Sequence, residues 1–180
     1  MPRNIEIKTR IDSVNALLPR AQAVSGGRPE TIHQDDTFFR VPDGRLKLRE
    51  FADGSAELIH YHRPDSGDAK ASDYVRVPVA DASALREALA RGCGLLGRVR
   101  KERVLLLVSD GGFTTRIHLD RVEGLGDFME LEVVLQDGQS DADGADVANR
   151  LMQALGLGHA ERMSGAYLDL CAATCPADAP

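Results

Sequence analysis

The chain has 180 residues, 43 % of them hydrophobic, which suffices for one sizeable core and matches the length of one ordinary domain. Its 22 Lys and Arg stand against 28 Asp and Glu, and the net charge of -6 argues against general nucleic-acid binding while leaving room for a local basic pocket. Cys93, Cys171 and Cys175 are odd in number without zinc-site spacing, and no run reads as a signal peptide or membrane span; the expectation is a cytoplasmic protein with no membrane partner.

In chain order, the first element is an alternating strand. Asn4, Glu6, Lys8 and Arg10 share one face, and Ile5, Ile7, Thr9 and Ile11 the other. A helix around 13–23 follows, interrupted by Pro19. Alternation returns in Arg45, Lys47 and Arg49 against Leu46 and Leu48, between the turn signals Asp43-Gly44 and Asp53-Gly54. Further strands are expected near 56–62 and 73–79. A helix over 81–91 is capped by Asp81 and stops at Gly92.

Next come a strand near 98–108 and a turn at Asp110-Gly111-Gly112. Thr114, Arg116, His118 and Asp120 then alternate with Ile117 and Leu119, and Phe128, Glu130 and Glu132 with Met129, Leu131 and Val133. Residues 136–144 read as a flexible connection and 144–155 as a helix aligning Val147, Leu151, Met152 and Leu155 before Gly156. The tail 171–180 reads as frayed, leaving a single domain over 1–170.

Four strands thus carry a charged face. An open sheet could leave those charges in water, whereas a closed barrel would turn them inward, at great cost unless opposite charges, ions or a ligand neutralised them. The set is mixed: Lys8, Arg10, Arg45, Lys47, Arg49 and Arg116 are complemented by Glu6, Asp120, Glu130 and Glu132. Guanidinium and ammonium groups suit phosphate oxygens, and carboxylates suit magnesium or manganese bridging to phosphate. No glycine-rich phosphate loop is present, so side chains would have to bind the phosphate.

The segments NIEIK (4–8), QDDTFF (34–39), GRLKLRE (44–50), RKER (100–103), TRIHLD (115–120) and GLGDFMELE (124–132) together resemble the CYTH superfamily, the triphosphate tunnel metalloenzymes. The likeness is to the class IV adenylate cyclase branch, whose relatives include thiamine triphosphatases and inorganic triphosphatases. The resemblance implies an α+β protein built on a closed antiparallel eight-stranded β-barrel with helices packed outside. It also implies a small-molecule triphosphate substrate, Mg2+ or Mn2+ as cofactor, and leaves room for a homodimer.

Carried over by position, Glu6, Lys8 and Glu130 bear on catalysis, and Glu6 and Glu130, with Asp120 and Glu132 as further candidates, are metal ligands. Lys8, Lys47, Arg49, Lys101, Arg103 and Arg116 hold phosphates, with Arg76 as a further candidate for the tunnel wall. Two positions depart from the family pattern. Asn4 replaces the first acid of the opening signature, and His62, with Arg63 beside it, falls where a lysine is usual. His62 could donate to phosphate when protonated. His33, His118 and His159 carry no metal-site spacing. Three functions follow: a cyclase forming cyclic AMP and pyrophosphate from ATP; a hydrolase of thiamine triphosphate, inorganic tripolyphosphate or a nucleoside triphosphate; and a catalytically weak module binding a nucleotide or polyphosphate.

Overall fold

The structure, a computed structural model, describes residues 3–62, 70–71 and 73–174; Arg63 and Cys175 lie outside them. Eight longer strands are β1 (Arg3–Arg10), β2 (Glu30–Phe39), β3 (Arg45–Phe51), β4 (Ala56–His62), β6 (Asp73–Val79), β7 (Leu95–Asp110), β8 (Phe113–Val122) and β9 (Gly126–Leu135). With the two-residue β5 (Lys70–Ala71) they form one sheet in the order β5-β1-β9-β8-β7-β2-β3-β4-β6, antiparallel at every pairing.

The sheet is strongly curled, since residues from β1 at one end and β6 at the other line the same cavity. β5 and β6 are one residue apart in sequence, yet β5 pairs with β1 and β6 with β4, so this segment reaches both ends of the sheet.

The face turned away from the cavity is apolar. Ile5, Ile7, Leu106, Ile117, Leu119, Leu131 and Val133 are buried under helices α1 (Val14–Ser25) and α3 (Asp141–Ala154). Helix α1 runs through Pro19, which the sequence suggests as an interruption. Helix α3 starts earlier than its apolar pattern, because the Ser140 side chain accepts from the Asp143 amide and caps it. Gly144 lies inside that helix, where a Cβ would come within 2.8 Å of side-chain atoms of Ile5 and Leu135; only glycine lets α3 approach so closely.

Helix α2 (Ala82–Cys93) has the expected Asp81 cap, accepting from the Ala84 amide, but ends at Gly94 rather than Gly92. It packs Leu85 and Leu89 against Phe39 and Leu48. Helix α4 (Tyr167–Thr174) absorbs residues 171–174, expected as the start of a frayed tail. Tyr167 and Leu168 pack with Phe38, Val99 and Phe128, so burial of its own first turn holds it in place. Among the described residues no helix is long and apolar enough to cross a membrane.

Candidate functional site

The period of two along each strand brings the charged faces to a cavity of about 360 Å³, within the size range of small-molecule sites. Glu6, Lys8, Lys47, Arg49, Arg76, Lys101, Arg103, Arg116, Glu130 and Glu132 all line it. Two expected residues do not. On β4 the inward positions fall to Glu57, Ile59 and Tyr61, so His62 points outward, its Nε2 3.4 Å from Asp43 Oδ2 and its ring 5.2 Å from that of His60. Asp120 lies behind the wall, 0 % exposed.

Two aspartates organise the cations. Asp36, at the centre of β2, accepts from Arg49 through both oxygens at 2.7 Å and from Lys47 Nζ at 2.8 Å. Burial alone would raise its pKa, but Lys47 and Arg49 outweigh that and hold the carboxyl well below the usual range. Its lysine partner moves the other way for an ion-paired base, down to about 8, because burial and the adjacent Arg49 charge outweigh the share of Asp36 it receives.

Asp120 accepts from Arg103 Nε and Nη2, both at 2.6 Å, from Lys101 Nζ at 2.9 Å and from the Tyr167 hydroxyl at 3.0 Å. Burial opposes its ionisation, and Arg103 and Lys101 overcome that opposition, so this carboxyl also lies far below its ordinary value. With three donor residues around its two oxygens, Asp120 is the anchor of the β7 cations.

Arg103 continues to Glu130, with Nη2 2.6 Å from Oε2, while Lys8 Nζ is 3.1 Å from Oε1 and donates to the Gly165 carbonyl at 3.1 Å. Burial would raise the Glu130 carboxyl; Lys8 leads the interactions that bring it well below the usual range. His118 Nδ1 is 3.8 Å from Glu130 Oε2, too far for a hydrogen bond, and burial followed by the Arg103 charge lowers its pKa below the ordinary imidazole value. Asn4 Oδ1, Gln34 Oε1 and His118 Nδ1 are buried on the cavity wall without a hydrogen-bond partner among the described residues. Such groups are polar positions for a ligand or water to satisfy.

In the middle of β1 the register sets Glu6 directly opposite Glu132, and Arg116 Nη1 donates to Glu132 Oε2 at 2.9 Å. Like charges directly opposed across strands are destabilising by themselves; here Arg116 offsets the Glu132 carboxylate, and Lys70 of β5 is the register partner of Glu6 on its other side. Among the described residues no three His, Cys, Asp or Glu side chains are arranged to hold a metal by themselves. Magnesium commonly takes one or two carboxylates and completes its shell with water and substrate phosphate, so Glu6 and Glu132 are residues that could hold such an ion.

Sequence reasoning missed Asp36 and Tyr167. Asp36 lies within the QDDTFF segment, but both faces of β2 mix polar and apolar residues, so alternation does not single it out. Tyr167 matters only once α4 folds back: its ring lies 4.1 Å from Lys8 Nζ and 4.9 Å from Lys101 Nζ, measured to the centroid.

Comparison with known proteins agrees with this geometry. The family model of the CYTH domain matches residues 2–167, and the chain belongs to that family. No curated protein matches the sequence. Among solved structures, the PH1012 protein of Pyrococcus horikoshii OT3 is similar at TM-score 0.78 and 23 % identity, over 93 % of this chain and 98 % of that one. A proposed adenylate cyclase of Vibrio parahaemolyticus has TM-score 0.73 and 21 % identity over 94 % and 97 %. HpAC1 of Hippeastrum, a proposed adenylyl cyclase with a dominant triphosphatase activity, has TM-score 0.70 and 15 % identity over 96 % and 97 %. At these identities the likeness is one of fold.

Proposed function

We propose that this CYTH-domain protein is a divalent-metal-dependent enzyme that cleaves a small-molecule triphosphate inside its cavity, with the curled sheet closing around the substrate as a tunnel. The observation that carries the reading is the convergence of seven cationic side chains, Lys8, Lys47, Arg49, Arg76, Lys101, Arg103 and Arg116, from five strands onto one cavity. A single phosphate would occupy two or three of them; a chain of three engages the set.

Glu6 and Glu132, with Glu130 beside them, are the residues that would hold Mg2+ or Mn2+, and the ion would neutralise phosphate charge as it develops. The chain itself positions the substrate. Asp36 holds Arg49, through Nε and Nη2, and Lys47 on the cavity wall, as Asp120 holds Arg103 and Lys101, so four cations stand in place for phosphate oxygens. Lys8, fixed by Glu130 and the Gly165 carbonyl, supplies a cation from the opposite side. No covalent protein intermediate is required, since positioning and charge stabilisation account for most phosphoryl-transfer catalysis.

The reaction is class IV adenylate cyclase-like: the ribose 3′-oxygen bonds to the α-phosphorus, the bond to the bridging oxygen breaks, pyrophosphate departs and the hydroxyl proton passes to solvent. Hydrolysis by water at a terminal phosphate is the second reading, favoured by the triphosphatase activity of the Hippeastrum neighbour. Incubation with ATP, thiamine triphosphate and tripolyphosphate, each with Mg2+ or Mn2+, separates the two by product. Cyclic AMP with pyrophosphate selects the cyclase and phosphate release the hydrolase. Saturable binding without product would leave a binding module in place of an enzyme.

A further inference from the structure

The strands supply every charged group that lines the cavity, yet one aromatic side chain from outside the sheet reaches its two most buried lysines. Tyr167, at the start of α4, has its ring centroid 4.1 Å from Lys8 Nζ and 4.9 Å from Lys101 Nζ. These lysines stand on β1 and β7, with β9 and β8 between them in the sheet. A single ring thus touches cations from two strands that do not pair.

The ring has little freedom. Its hydroxyl donates to Asp120 at 3.0 Å, and Phe128 meets it edge to face, with centroids 5.0 Å apart and planes at 64°. Leu168 beside it fits against Gly97, where a Cβ would come within 2.4 Å of Leu168 Cδ1. Asp169 accepts from Arg45 through both oxygens, at 3.1 and 2.8 Å. The sheet is therefore shaped to seat α4 with Tyr167 on the cavity wall.

A ring face does for these cations what a further carboxylate would not. It attracts an ammonium group electrostatically without cancelling its charge. Glu130 and Asp120 already anchor the two lysines, Lys8 Nζ lying 3.1 Å from Glu130 Oε1 and Lys101 Nζ 2.9 Å from Asp120 Oδ2. Another acid in place of the ring would neutralise a wall that has to attract anions, and an aliphatic side chain would leave both ammonium groups without that hold. Fixing a long side chain before the ligand arrives removes an ordering cost from binding.

Building on the triphosphate reading, we infer that Tyr167 is a positioning residue whose ring holds Lys8 and Lys101 in place for the phosphates, so that α4, which adds no charged group to the cavity lining, governs how tightly a polyphosphate is bound.

The test is calorimetric binding of tripolyphosphate and of ATP, each with Mg2+. Stoichiometry reports the folded fraction and Kd reports the site, so lost stability and lost positioning are read apart. Tyr167→Phe should hold the wild-type Kd to within about twofold, because phenylalanine also presents a π face to the lysines. Tyr167→Leu should raise the Kd at least about fivefold, the effect of having to order two lysines on binding. In a Lys8→Met background the same replacement should have a smaller effect, since one of the two cations it acts through is gone. Tyr167→pentafluorophenylalanine keeps the shape of phenylalanine and reverses the electrostatics of the ring face; it should weaken binding at least about fivefold relative to Tyr167→Phe, and it serves as the test should the leucine variant fail to fold. Wild-type or tighter binding by the folded leucine or fluorinated variant would overturn the inference and leave the triphosphate reading standing, as would a loss in Tyr167→Phe equal to that in Tyr167→Leu. Failure of wild-type protein to bind either ligand would overturn both.

Discussion

Asp36 and Asp120 are two buried aspartates that each gather one lysine and one arginine, and they differ in what lies beside them. Asp36 is itself part of the cavity wall, and the side chains of Lys47 and Arg49 are each 14 % exposed. Asp120 is wholly enclosed, and its partners Lys101 and Arg103 are 5 % and 9 % exposed, with Tyr167 closing the remaining side. The same ion-pair chemistry therefore supports two roles. On the proposed function, a phosphate would share the more exposed donors of Asp36, whereas Lys101 and Arg103 would meet it while Asp120 still holds them. The first pair is exchangeable and the second is scaffold.

The sharpest way to break this contrast is to neutralise each aspartate. Asp120→Asn should cost about 3–5 kcal/mol in urea unfolding, the penalty for leaving buried charges unmatched. Asp36→Asn should cost distinctly less, since water in the cavity can solvate Lys47 and Arg49. Equal losses would end the distinction. The folded Asp120 carboxyl lies below its unfolded value, so its stabilisation is whole above about pH 4 and fades as the pH falls further; the asparagine variant should flatten that acid limb.

Removing a cation from the exchangeable side should act on ligand before it acts on fold. Arg49→Ala is expected to weaken triphosphate binding roughly tenfold to hundredfold, the range for losing a hydrogen bond to a charged group, and to weaken monophosphate binding less. Arg116→Ala at the acidic end should show the same ordering. Equal losses for long and short ligands would contradict an extended clamp. A smaller, pH-dependent effect belongs to Lys47: its pKa of about 8 means that its charge is lost as the pH rises through that value. Triphosphate affinity should decline along that alkaline limb, and Lys47→Arg should move the decline to higher pH. Tyr167→Phe should cost about 1.5–3 kcal/mol of stability for the lost bond to the ionised Asp120, read by the same urea unfolding.

Much of this site was legible because its chemistry is written with period two. Glu6 and Lys8 on β1, Lys47 and Arg49 on β3, Arg116 on β8, and Glu130 and Glu132 on β9 share parity within their strands, and each lines the cavity. The Asp81 cap of α2 was equally plain. The misses have physical reasons. His62 falls at the family's lysine position by resemblance, whereas strand parity gives the inward place to Tyr61. Asp120 has the parity of a ligand, but Arg103, Lys101 and Tyr167 converge on it from other elements. Helix α4 lacks an amphipathic repeat and is held by the packing of Tyr167 and Leu168 against Phe38, Val99 and Phe128, partners no local pattern names.

On the proposed function the acidic side of the cavity binds a divalent ion that serves triphosphate cleavage, and the metal dependence of turnover in Glu132→Gln is the decisive measurement. Glutamine preserves size and hydrogen bonding while removing the charge that a hard cation requires. The Mg2+ or Mn2+ concentration for half-maximal turnover should rise by at least about tenfold, since even the loss of an outer partner of a metal site has an effect of that size. The unfolding midpoint should stay near that of wild-type protein. An unchanged metal requirement in a folded Glu132→Gln variant, or wild-type turnover that persists undiminished in EDTA, would contradict the account.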